Sequence, residues 1–118
     1  MIAHVVLFRP KADVPAADRR RLAETFAAAV REIPSVRRAR IGRRVTHGAG
    51  YEQLAQPDFT FAAILEFDDQ AGLQAYLRHP AHAEPGRRLF EVMEAGVVFD
   101  YALLDGRDAA IAAGEWLE

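Results

Sequence analysis

Apolar residues fill both alternating faces of the stretch Ile2 to Arg9. Ile2, Val6 and Phe8 lie on one face with His4, and Ala3, Val5 and Leu7 on the other. A strand apolar on both faces is buried on both. Pro10 to Pro15 reads as a turn, with Asp13 or Asp18 placed to cap the next element. From Ala16 to Ile33 the apolar positions Leu22, Phe26, Ala29, Val30 and Ile33 recur at helical spacing and form one buried stripe. Pro34 ends that helix, because the residue before a proline is pushed out of the α region. A second strand is predicted from Ala39 to Thr46, with Ile41 and Val45 on one side and Arg40 and Arg44 on the other. Phe59 to Phe67 is the third, again apolar on both faces. Asp68 or Asp69 then caps a helix carrying Leu73, Tyr76 and Leu77. Pro80 interrupts it, and a further helical stretch carries Leu89, Phe90 and Met93. The last strand, Val97 to Leu104, embeds Asp100 among apolar neighbours.

The order β-α-β-β-α-β predicts an α+β fold of the ferredoxin-like type with a four-stranded antiparallel sheet. The domain is expected over residues 1–104, with a tail over 105–118. The tail is Ala-rich and weakly helical, able either to dock through Ile111 and Trp116 or to fray, and Leu117-Glu118 has the character of a cloning scar. Two helices can cover only one face of such a sheet, yet three of the strands are apolar on both. A second copy of the same sheet is the simplest cover, which predicts a homodimer closing as a dimeric α+β barrel.

Composition narrows the chemistry. At 118 residues there is room for one domain with its own core, and the absence of cysteine excludes disulfides, thiol catalysis and Cys-based zinc sites. A net charge of -2 makes no case for nucleic acid or an anionic membrane. No apolar run approaches the roughly 20 residues of a spanning helix, and the N-terminus goes straight into a strand, so a cytoplasmic domain is expected. The arginine runs at 19–21, 37–38, 43–44 and 87–88 are offset by acidic residues and lack interleaved aromatics, as expected of solvated surface. The other option is that Arg40, Arg43 or Arg44 receives a carboxylate or a coenzyme A phosphate.

His79 and His82 flank Pro80-Ala81 at the helix break, where His82 can leave the helix line and turn inward near Tyr76. An imidazole, a phenol and a carboxylate make a usable set. The imidazole can take a proton from a carbon between two carbonyls, and the phenol can hydrogen-bond the developing enolate. Alternatively, the string only fastens the helix break. Asp100 in an apolar strand needs a partner: His82, a backbone N–H or an arginine. His4 is either a pocket group or a core histidine. His79, His82 and Glu84 are the best metal-ligand grouping, but Pro80 spoils their helical spacing and no metal site is expected.

Three blocks resemble the stress-responsive A/B-barrel family: Ile2-Ala3-His4-Val5-Val6-Leu7-Phe8 with Lys11 after it, Tyr76-Leu77-Arg78-His79-Pro80-Ala81-His82, and Val97-Val98-Phe99-Asp100-Tyr101. The resemblance runs from Met1 to about Tyr101 and implies a dimer of ferredoxin-like subunits. The member type with the best-defined chemistry is the plant olivetolic acid cyclase, a cofactor-free polyketide aldol cyclase. Carried over, it would make His82 the general base, Tyr76 the phenol on the substrate carbonyl, Asp100 the partner that orients the base, and His4 a pocket residue beside His79. Phe61 and Phe26 stand where that enzyme has a pocket histidine and a pocket tyrosine, departures that would change the substrate or remove the chemistry. The resemblance therefore implies either a cofactor-free cyclase or isomerase acting on a β-dicarbonyl or polyketide-like small molecule, or a non-catalytic dimer that binds a small ligand or serves in stress tolerance, the ligand expected being a small apolar molecule or an aromatic acid. It also allows a hard cation near the dimer interface.

Overall fold

The computed structural model describes residues 1–116. The elements are β1 (Ile2–Pro10), α1 (Ala16–Glu32), β2 (Arg38–Arg43), β3 (Phe61–Phe67), α2 (Gln70–Arg78), α3 (Pro80–Val92), β4 (Met93–Ala102) and α4 (Ala109–Glu115). The strands form one antiparallel four-stranded sheet in the order β2-β3-β1-β4, the ferredoxin-like arrangement. β1 is central, between β3 and β4, as its apolar residues on both faces require.

Several boundaries differ from the sequence reading. β2 ends at Arg43 rather than Thr46, and Arg44 instead pairs with Asp58. β4 starts at Met93 rather than Val97, directly from the end of α3. A register shift between Arg9 and Pro10 brings Pro10 opposite Met93 and extends the ladder. Gly96 lies inside that extension, where a Cβ would collide with the Met93 sulfur and come within 3.1 Å of the Leu7 carbonyl. Neither Asp13 nor Asp18 caps α1: Pro15 occupies the N-cap and no side chain bonds there. Asp69 does cap α2, accepting from Gly72 N–H at 2.8 Å.

Pro80 opens a new helix rather than only interrupting one. It sits in the first turn of α3, where a missing N–H costs nothing, and His79 serves as the N-cap. The His79 ring Nδ1 accepts from Ala81 N–H at 3.0 Å.

All three long helices lie on one side of the sheet. Ala29, Ile33, Leu65, Phe67, Leu73 and Tyr76 make the core, with Ile2, Phe26, Ala39 and Ala63 packed against it. Strand alternation places His4, Val6, Phe8, Phe61 and Asp100 on this same face. The centre of the opposite face is apolar, with Arg9, Arg38, Arg40 and Glu66 around it. Val5 lies opposite Ile64 and Phe99, and Leu7 opposite Ala62 and Val97. Ile64, Phe99 and Tyr101 are 40%, 51% and 52% exposed. No helix among the described residues covers them. In the tail, Ile111 on α4 and Trp116 at its C-cap remain half-exposed, so neither is buried against the rest of the fold. The suspected scar at 117–118 lies outside the described residues.

Candidate functional site

The helix break decides the position of the histidines. Because α3 starts afresh at Pro80, His82 falls in its first turn, its backbone N–H bonded to the His79 carbonyl at 2.9 Å. Its ring then meets Tyr76 in the last turn of α2, edge-on with centroids 4.7 Å apart. The His4 ring on β1 also meets Tyr76 edge-on, with centroids 5.9 Å apart. Phe67 packs on the same phenol at 5.3 Å. Tyr76 thus contacts two imidazoles and a core phenylalanine.

Asp100 does not partner His82. It stands directly opposite His4 on the neighbouring strand, and its Oδ1 lies 2.6 Å from His4 Nδ1. The expected aspartate–His82 dyad is corrected on this point: cross-strand register places the carboxylate beside β1, and α3 does not bring His82 to it. Asp100 is also not buried. Its side chain is 45% exposed while that of His4 is 7% exposed, because β4 is the sheet edge. The bond fixes the His4 ring: the carboxylate can only accept, so Nδ1 carries the proton donated to it.

The polar atoms around Tyr76 have different surroundings. Neither the Tyr76 hydroxyl nor either ring nitrogen of His82 has a hydrogen-bond partner among the described residues, yet none of them is sealed from solvent. Burial pushes the Tyr76 hydroxyl up to about 12, so it remains a proton donor through the neutral range. Burial also lowers the His82 imidazole below its ordinary 6.5, and repulsion from His4 adds to that, so His82 is neutral at pH 7.

The remaining sequence-identified positions are not part of this cluster. His79 spends its Nδ1 on the helix cap. Phe26 packs against the core from α1. Phe61 stacks on Phe8 at 5.7 Å, at the other end of the helix-side face. The missed feature was the His4–Asp100 pair, which aligning the first and last strands antiparallel could have found. Among the described residues no three His, Cys, Asp or Glu side chains converge as a metal site.

The depressed His82 value has a consequence for stability. An unfolded His82 takes up a proton near 6.5, while the folded one resists until lower pH, so folded-state stability declines as pH falls through that window. His82→Gln should flatten the decline. Urea midpoints measured between pH 7 and pH 5 check this, and equal slopes for variant and wild type would contradict it.

Asp100→Ala should destabilise the fold by about 1 kcal/mol, since it leaves the buried His4 Nδ1–H without its acceptor. The loss is at the low end because water can enter the half-exposed position. Asp100→Asn keeps an acceptor and should lose less, as thermal melting of the two variants would show.

Residues 2–103 match the profile of the Dabb family, the stress responsive A/B barrel domain. The chain belongs to this family. Solved structures similar to this A/B barrel domain include a Dabb family protein with a ferredoxin-like fold from Mesorhizobium loti. It is 25% identical with a TM-score of 0.68, over 88% of this chain and 97% of that one. A dimeric protein of unknown function from Bacteroides fragilis is also 25% identical, with a TM-score of 0.62 over 86% of this chain and 95% of that one. The hydroxynitrile lyase of Passiflora edulis shares the fold with a TM-score of 0.72 at 19% identity, over 88% of this chain and 94% of that one. No protein of curated function matches the A/B barrel chain. No helix among the described residues is long and apolar enough to cross a membrane.

Proposed function

We propose that the protein is a homodimeric, cofactor-free enzyme that removes a proton from an acidic carbon of a β-dicarbonyl or polyketide-like small molecule, as a cyclase or isomerase. The observation that carries this reading is the Tyr76 phenol beside two imidazoles, its own hydroxyl and the His82 nitrogens unpartnered among the described residues and not fully sealed from solvent. His82, neutral at pH 7, takes the proton from carbon. The C–H electron pair passes into the enolate, whose oxygen accepts from the Tyr76 hydroxyl. In a cyclase the enolate carbon then attacks a second carbonyl of the same molecule, and the His82 imidazolium returns the proton to the resulting alkoxide. In an isomerase it returns it to another carbon. His4 does not move a proton in this scheme; held by Asp100, it shapes the far wall around Tyr76.

The dimer is supported by the uncovered apolar face around Val5 and by a solved relative from Bacteroides fragilis described as dimeric. That the chemistry is the aldol cyclisation of olivetolic acid cyclase rests on the resemblance of the Tyr76-to-His82 string alone.

A second reading has its own support. Tyr76 is 3% exposed and belongs to the core, and the two cavities at the other end of the sheet are lined by none of Tyr76, His82 or Asp100. A non-catalytic ligand-binding or stress-tolerance dimer fits that packing. NMR titration with a panel of β-dicarbonyl and resorcylic acids separates the two. For an enzyme, a bound acid shifts both the Tyr76 and His82 ring signals, and Tyr76→Phe weakens its binding by about 0.5–1.5 kcal/mol, one neutral hydrogen bond. Shifts confined to other residues favour the second reading.

A further inference from the structure

The end of the sheet opposite the Tyr76 cluster holds a cavity of about 480 Å³, large enough for a small molecule. It is open at the ends of β1 and β2 and is bounded by the start of α1. Its lining sets Arg9, Lys11, Arg19, Arg43 and Arg44 against a single carboxylate, Asp58. This concentration of positive charge occurs in a chain whose net charge is -2, so it is not a reflection of overall composition.

The pairing of these groups is uneven. Asp58 engages Arg44, whose guanidinium also reaches the Glu52 carbonyl at 3.4 Å and is thereby held in place. Arg9 is tied to Glu94 at 3.1 Å. Lys11, Arg19 and Arg43 have no carboxylate partner within ion-pair distance among the described residues. Lys11 also borders an adjoining cavity that contains Asp13 and Asp18, so Arg19, Arg43 and the anchored Arg44 form the cationic centre. Phe61, stacked on Phe8, supplies an apolar wall beside them.

We infer that this cavity binds a small-molecule oxyanion, a phosphate or carboxylate group borne on an apolar or aromatic body. Guanidinium groups with free donors match such oxygens in pairs, and a concave site strengthens their joint field. The Phe61 wall receives the carbon body. The inference does not rest on catalysis at Tyr76. Phe8 lies four residues beyond His4 on the same face of β1, about 13 Å along the strand, so the two sites are separable.

The probes are phenyl phosphate and benzoate, titrated into the full-length protein while following the Arg19, Arg43 and Arg44 side-chain N–H signals by NMR. Saturable shifts at millimolar concentration that weaken with added salt are expected, and the tighter probe identifies the anion. Arg43→Gln and Arg19→Gln each should weaken binding about tenfold, the loss of one charge-assisted hydrogen bond. Both side chains are exposed, so one variant serves if the other fails to fold. Tyr76→Phe should leave the affinity at the wild-type value. The inference is overturned if neither probe saturates, if the arginine variants bind as wild type does, or if Tyr76→Phe removes the binding.

Discussion

His82→Gln should yield a folded dimer in which proton exchange at the acidic carbon of a bound β-dicarbonyl acid falls by about 10²–10⁴-fold, the range for removing a general base. Glutamine approximates the imidazole in size and can still hydrogen-bond but cannot take a proton at neutral pH. The fold should tolerate the change because the His82 ring makes no hydrogen bond among the described residues, and the helix break is fastened by the His79 cap and Pro80 instead. In the wild type, exchange should persist to lower pH than an ordinary imidazole would allow, since burial and His4 both lower the His82 pKa. The measurement is loss of deuterium from the ligand carbon by NMR, with circular dichroism as the check on folding. Exchange at the wild-type rate in a folded variant would remove His82 from the mechanism. An unfolded variant would show instead that the string is a structural fastener.

Phe99→Asp should split the dimer. Phe99 stands opposite Val5 near the middle of the uncovered apolar face, is 51% exposed, and lies next to Tyr101 with ring centroids 6.3 Å apart. In a two-fold symmetric interface the substitution enters twice. At about 2 kcal/mol per lost aromatic anchor, the dissociation constant should rise by about 10³-fold. Sedimentation at low micromolar concentration should then show a 13.1 kDa species where the wild type sediments at twice that mass. A wild type that already sediments as a folded monomer would refute the dimer. A Phe99→Asp variant that stays dimeric would instead place the interface on another face.

The architecture was legible in the sequence because hydrophobic periodicity is a local signal. The double-sided strands at Ile2 and Phe59, the helical stripe from Leu22 to Ile33 and the break at Pro80 each express a burial pattern within a few residues, and the family blocks lie on those same elements. Element ends were less legible. Whether β2 stops at Arg43 or β4 begins at Met93 depends on a partner strand elsewhere along the chain.

The sequence by itself determined the α+β class, the surplus apolar face, and the closeness of Tyr76 and His82, since six residues with a proline between them leave few arrangements. Only the tertiary structure decided which histidine Asp100 serves. That choice depends on antiparallel register across 96 residues of separation, which places His4 and Asp100 opposite each other, and nothing local to either strand encodes it. The same holds for the basic cavity. Arg19 lies on α1, Arg43 ends β2 and Arg44 follows it, so along the chain Arg19 reads as solvated surface and Arg43 and Arg44 as either surface or an anion-receiving pair. They form a site only because the sheet brings those ends together, and electrostatic fields depend on distance in space rather than in sequence.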